Sequence, residues 1–190
     1  MSAISPLDVV LDTSRLILRP LRPDDAPAIF AMYSEVQVMR YWTGAPWTDP
    51  ARAEEYVATS AQDIAAGTAM RLGVEVKASG QCVGQVTLFH FDVQNRRCDL
   101  GYALNRDHWG QGYVGEALHA LLDFGFGALG LHRVEADIDP RNTASLRTAE
   151  RLGFVREGLL RERWLVAGEI CDTAIYGLLA REWEQQKEHR

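Results

Sequence analysis

No apolar run in this chain approaches the roughly 20 residues that a membrane-spanning helix needs. The opening MSAISPLDVV has neither the basic start nor the apolar stretch of a secretory signal. Cysteine is scarce: Cys82, Cys98 and Cys171 lie far apart in strand-like segments, and an odd number suits reduced, half-buried thiols better than disulfides. The five histidines show no H-x-x-x-H pair, so no metal is expected. Basic residues are outnumbered, 20 Lys and Arg against 26 Asp and Glu, and they form no stripe. That argues against a nucleic acid partner and, weakly, for cationic small ones. These absences lead us to expect a cytoplasmic protein with no membrane or nucleic acid partner; its expected assembly, a monomer or homodimer, does not follow from them.

What is present suits one domain. The 190 residues are 47% hydrophobic, enough for a sizeable single core. Thr13 to Arg19 (TSRLILR) alternates like a strand, and Asp24 or Asp25 is placed to cap a helix running to about Ser34. QVMRYWTGAPW reads as a loop. A second helix is expected from Asp49-Pro50 to Ala66, stopped by Gly67. Three strands follow in Ala69–Lys77, Cys82–Phe91 and Arg97–Leu104, then a helix from Gly110 to Gly127. The strand HRVEADI, a helix from Asn142 to Leu152, and two strands joined at Ala167-Gly168 complete the order β-α-α-β-β-β-α-β-α-β-β. The fold class is therefore α/β (α+β): about seven strands in a mixed, mostly antiparallel sheet with helices on both faces. Residues 1–190 form one domain in this reading, with 1–12 and 181–190 as flexible ends. The polar tail REWEQQKEHR is read as a solvated helical face.

The most informative segment is NRDHWGQGYVGEAL, residues 105–118. A strand ends, glycines cluster and a helix begins. Glycines let the backbone approach an anion closely, and the free N–H groups at a helix start, with the positive dipole end, bind phosphate. The donors are expected to be the amides of Gln111, Gly112, Tyr113, Val114 and Gly115, gripping a pyrophosphate. Gly110, Gly112 and Gly115 also satisfy GxGxxG, and Asp137 lies where an acid would bind ribose. A dinucleotide fold is nevertheless rejected. Residues 106–109 separate the strand from the glycines, and too little chain follows for a doubly wound sheet.

A second segment, NTASLRTAERLGF at 142–154, resembles the N-x-x-S…G-F stretch of GNAT-superfamily acetyltransferases. The likeness is greatest to the Rim-type group, which includes the ribosomal-protein N-terminal acetyltransferases. WGQGYVGEAL resembles that group's coenzyme A turn, and TSRLILRPLRPDDAPAI and CDTAIYGLL resemble its ends, so the likeness spans about Thr13 to Leu179. It departs at Val114, where the superfamily turn closes on Gly or Ala. It departs again at Ala149, where many members carry a tyrosine acid.

The resemblance implies acetyl transfer from acetyl-CoA to a primary amine by direct attack in a ternary complex. The acceptor would be a protein N-terminal amine or a small amine such as an amino acid, polyamine or drug. A non-catalytic coenzyme A sensor and, further off, a nucleotide-binding oxidoreductase are the other classes. The strand ending at Leu104 would splay from HRVEADI, with the pantetheine in the gap and an N–H near Leu104 facing the carbonyl oxygen. Asn142 would bond the pantetheine arm and Ser145 would protonate the departing thiolate; taken alone, Asn142 would be read as a helix cap. For the base, Glu162 is favoured, then Asp137, with Asp99 also placed for it. Tyr41, Trp42 and Trp47 are expected on the acceptor side. Trp109 and Trp164 are expected to pack.

Overall fold

The computed structural model describes residues 9–188, so residues 1–8 and 189–190, parts of the two expected flexible ends, lie outside the described residues. The strands are β1 (Leu11–Asp12), β2 (Leu16–Pro20), β3 (Ala69–Val76), β4 (Gln81–Asp92), β5 (Arg97–Leu104), β6 (Arg133–Ile138), β7 (Val155–Val166) and β8 (Glu169–Leu179). The helices are α1 (Ala26–Ser34), α2 (Val36–Met39), α3 (Ala51–Ala66), α4 (Tyr113–Gly127), α5 (Thr143–Arg151) and α6 (Ala180–Glu188). The strands form one sheet in the order β1-β2-β3-β4-β5-β6-β8-β7. Every neighbouring pair is antiparallel except β5 and β6.

This is the expected mixed α/β sheet, with three additions. The first strand is preceded by the two-residue β1, folded back on β2 through a turn in which Thr13 Oγ1 accepts from the Leu16 N–H. The stretch read as a loop contains α2, whose start is capped by Glu35 accepting from the Gln37 N–H at 3.1 Å. The tail forms α6, and there the solvated reading fails for Trp183. That ring is 1% exposed, packs against Phe126 and donates its indole N–H to Asp123 at 2.9 Å. Val9 at the other end is also buried.

Local chemistry explains the boundaries. Gly67 ends α3 in the left-handed conformation at φ 68°, which a Cβ would disfavour. Ala167 and Gly168 both have positive φ, as a two-residue hairpin of the primed type needs. Asp25 does not cap α1 with its side chain. It is buried, and accepts from both ends of the Arg19 guanidinium, at 2.7 and 3.0 Å, and from the Arg22 N–H. A buried carboxylate needs such pairing more than a helix needs a cap.

Two apolar clusters cover the two faces of the sheet. Ile29, Met32, Val57 and Trp47 pack α1 and α3 on one side. Leu118, Leu121 and Leu122 of α4, with Ala149 and Trp183, pack on the other. Between the faces the sheet forks. The β5–β6 pairing covers only Arg97↔Arg133, Cys98↔Val134 and Asp99↔Glu135. Beyond it β5 stays with β4 through Gly84↔Leu104, and β6 stays with β8 through Ile138↔Ala174. Each strand follows its outer neighbour, and a gap opens where the sequence places Tyr102 and Asp137.

Candidate active site

A groove of about 1090 Å³ lies on one side of this fork, walled by the glycine turn and α5. A cavity of about 340 Å³ lies on the other, between the tips of β5 and β6 and the β7–β8 hairpin. Arg40, Tyr41, Trp42, Tyr102, Asn142 and Ser145 line both, so the two meet at a junction made by those side chains. Their charge differs in sign. Arg40, Arg141, Arg147 and Arg151 line the groove against the single carboxylate Glu150. Asp99, Asp137, Asp139, Glu169 and Asp172 line the cavity against Arg40 and Arg141.

The glycine turn is built to leave donors free. Gly110 and Gly112 have φ of 75° and 79°, and Gly112 is the N-cap of α4 with no side-chain cap. The first helical N–H groups, those of Tyr113, Val114 and Gly115, therefore have no acceptor within the helix. The ladder begins with the Glu116 N–H donating to the Gly112 carbonyl at 3.2 Å. All three residues face the groove, and a Cβ placed on Gly115 would meet nothing within 4 Å. Gln111 is exposed and stands outside the groove wall; its carbonyl accepts from Arg15 Nη1 at 2.9 Å. Leu104 lines the groove with its carbonyl taken by the Trp109 indole at 2.8 Å, so Trp109 is a wall residue as well as a packing one.

Glu116 anchors the turn to the body. Its carboxylate accepts from Thr13 Oγ1 (2.6 Å), Ser14 Oγ (3.0 Å), the Arg15 N–H (2.8 Å) and Arg15 Nε (2.7 Å). Burial opposes its ionisation, but these donors outweigh that and hold its pKa down to about 2.

At the junction, Ser145 stands in the first turn of α5. Its main-chain N–H donates to Asn142 Oδ1 at 3.1 Å, so Asn142 is the helix cap and keeps its amide nitrogen for another partner. Ser145 Oγ accepts from the Tyr102 hydroxyl at 2.9 Å. Sequence reasoning missed Tyr102 as a functional residue. The signal was its alternation with Leu100 and Leu104, which sets it on the sheet face that the later helices cover.

The carboxylates separate clearly. Asp137 lies in the cavity wall and accepts from Thr173 Oγ1. Burial pushes its pKa above the usual aspartate value, with Trp164 partly offsetting this. Trp164 is thus a cavity residue rather than a packing one. Asp99 also lines the cavity, 2.8 Å from His90 Nδ1. Glu162 is exposed on β7 at φ 54°, outside the walls of both spaces; only its main-chain N–H reaches inward, to Asp172 at 2.8 Å. The register slip between Leu160 and Trp164 turns it away.

Of the three acceptor-side aromatics, Tyr41 and Trp42 line the junction. Trp47 does not. It is buried, stacked on Tyr33 at 4.4 Å and edge-on to Tyr56, because the segment after α2 turns its ring into the core. Across the mouth of the cavity Arg141 ties Asp139 (2.6 Å) to Glu169 of β8 and lies near the Tyr41 ring. Among the described residues no cluster of three or more His, Cys, Asp or Glu could hold a metal ion, and no helix is long and apolar enough to cross a membrane.

The sequence profile described as "Acetyltransferase (GNAT) domain" matches residues 15–155. The chain belongs to the GNAT acetyltransferase family. This GNAT chain is 35% identical over 173 residues to p20 of Bacillus licheniformis, described as an uncharacterized N-acetyltransferase; the match covers 91% of this chain and 97% of that protein. The crystal structure of a GCN5-related N-acetyltransferase from Brucella melitensis superposes with a TM-score of 0.84 at 25% identity, over 97% of this chain and 84% of that one. The spermidine N-acetyltransferase of Vibrio cholerae, solved with CoA and spermine, superposes at 0.81 and 25% identity, over 90% and 99% of the two chains. The family supports acetyl-CoA as the co-substrate.

Proposed function

We propose that this GNAT protein transfers acetyl from acetyl-CoA to the primary amine of a small cationic acceptor. The observation that carries this is the change of sign across the fork. An arginine-lined groove with open helix N–H groups suits the phosphates of coenzyme A, and a carboxylate-lined cavity with aromatic walls suits an amine. The Vibrio cholerae relative solved with spermine supports the same acceptor chemistry.

Acetyl-CoA supplies an activated thioester. The amides of Tyr113, Val114 and Gly115 would hold its pyrophosphate, with Val114 setting the width of the turn. Asn142 is placed to orient the arm, and the β5 backbone near Leu104 to polarise the carbonyl. Asp137 is the base we favour over Glu162 and Asp99. It lines the cavity, as Glu162 does not, with its side chain open to that space and its pKa raised by desolvation, whereas Asp99 is held by His90 at 2.8 Å. Tyr41 and Trp42 pack the acceptor at the junction, and Ser145 faces the leaving sulfur.

Thiol release from acetyl-CoA, measured with a panel of polyamines, amino acids and short peptides, tests the reading. Turnover with polyamines, with acetyl found on the amine by mass, is expected. Turnover confined to peptides would move the acceptor to a protein N-terminus, as the Rim-type resemblance implies. Coenzyme A binding without turnover on any amine would make the protein a sensor.

A further inference from the structure

We propose that Tyr102 is the positioning residue of the leaving-group step: it holds the Ser145 hydroxyl with its hydrogen facing the junction and resupplies that hydrogen when Ser145 gives it up. This rests on reading the junction as the place of acetyl transfer.

Three features converge on it. Tyr102 lies on β5 beyond the last β5–β6 pair at Asp99, so its side chain has an open gap to cross and reaches α5 on the far side. The phenol donates to Ser145 Oγ at 2.9 Å while the Ser145 main-chain N–H is held by Asn142. A hydroxyl has one hydrogen and two lone pairs, so accepting from Tyr102 leaves the serine hydrogen for the reacting sulfur. Ala149, one helical turn from Ser145, lines the cavity with only a methyl group, which leaves the junction open.

The chemistry needs such a partner. An aliphatic alkoxide is far more basic than a thiolate, so serine alone is a poor acid for a departing thiol. A phenol, with an ordinary pKa near 10, is much closer to the task. Burial pushes the Tyr102 pKa up, and its bonds to Ser145 and Thr148 offset this only in part, so the phenol stays protonated at neutral pH. In the step, Ser145 Oγ gives its hydrogen to the sulfur as the carbon–sulfur bond breaks and the amine nitrogen bonds the acetyl carbon. Tyr102 Oη gives its hydrogen to Ser145 Oγ, and a proton from bulk solvent restores Tyr102. The surplus proton of the amine leaves through the cavity carboxylate, so charge and atoms balance.

The test compares Tyr102→Phe, Ser145→Ala and the double variant by turnover and by ultraviolet titration of the thiol of bound coenzyme A. Tyr102→Phe keeps the ring and its packing. We expect kcat to fall about 100-fold with the KM for acetyl-CoA unchanged. The bound thiol should titrate at higher pH in each single variant, and the double variant should be no worse than Ser145→Ala, as members of one relay are non-additive. Tyr102→Phe with kcat and thiol titration both unchanged would overturn the proposal, as would losses that multiply in the double variant. Should Tyr102→Phe fold poorly, a fluorinated tyrosine at position 102 serves instead. By lowering the phenol pKa it should bring the alkaline limb of kcat to lower pH, and an unmoved limb counts against the relay. Failure of the wild-type protein to bind coenzyme A by calorimetry would instead defeat the underlying reading.

Discussion

Replacing Glu116 with Gln should loosen both the fold and the glycine turn. Glu116 accepts from four donors of the Thr13–Arg15 segment, and its side chain is only 16% exposed. The same Arg15 braces the turn through the Gln111 carbonyl and lies 4.8 Å from the Tyr113 ring. A glutamine keeps one acceptor oxygen and sets an amide N–H₂ against donors. The fall of the Glu116 pKa from 4.5 to about 2 corresponds to about 3 kcal/mol of folding stability. Because the folded-state pKa is depressed, this contribution is complete above the ordinary value and is lost as pH falls toward about 2. Urea unfolding should therefore find Glu116→Gln weaker by about 2–3 kcal/mol near neutral pH, with less than half of that gap left near pH 3. The affinity for acetyl-CoA should fall with it as the turn loses its brace. A gap under about 0.5 kcal/mol at neutral pH, or one constant across this window, would refute the reasoning.

Trp183→Ala should cost about 3–5 kcal/mol, since the ring is almost fully buried, and thermal melting would show it. A loss under about 1 kcal/mol would mean that α6 is dispensable. Asp137→Asn should lower kcat by about 100-fold and remove the acid limb of the pH profile, which is expected above the usual aspartate range because burial raises this pKa. Glu162→Gln should leave the profile in place; the opposite pair of outcomes would return the base to Glu162.

The fold was legible because its signals are local. Alternating apolar residues, Gly67 after α3, and Ala167-Gly168 between β7 and β8 each act within a few residues of themselves. The glycine turn was legible for the same reason. What escaped reading depends on contacts between segments far apart in sequence. Tyr102 reaches Ser145 across 43 positions, and Trp183 reaches Asp123 across 60. Trp47 and Trp164 exchanged their expected places because ring chemistry suits a core as well as a binding wall, and only packing decides between them. Glu162 illustrates the converse. Between Leu160 and Trp164 a bulge sets two extra residues of β7 against β8, and Glu162, unpaired there at φ 54°, leaves the regular alternation that would assign it a face.

Calorimetric titration with acetyl-CoA of the wild-type protein and of Gly115→Val is the most direct test of the central claim. Gly115 lines the groove with nothing within 4 Å of an added Cβ, so valine there should leave stability intact while filling the space meant for phosphate. The wild-type protein should bind at one site and the variant with an affinity lower by about tenfold or more, at an unchanged melting temperature. No binding by the wild-type protein, or equal binding by both, would contradict that claim.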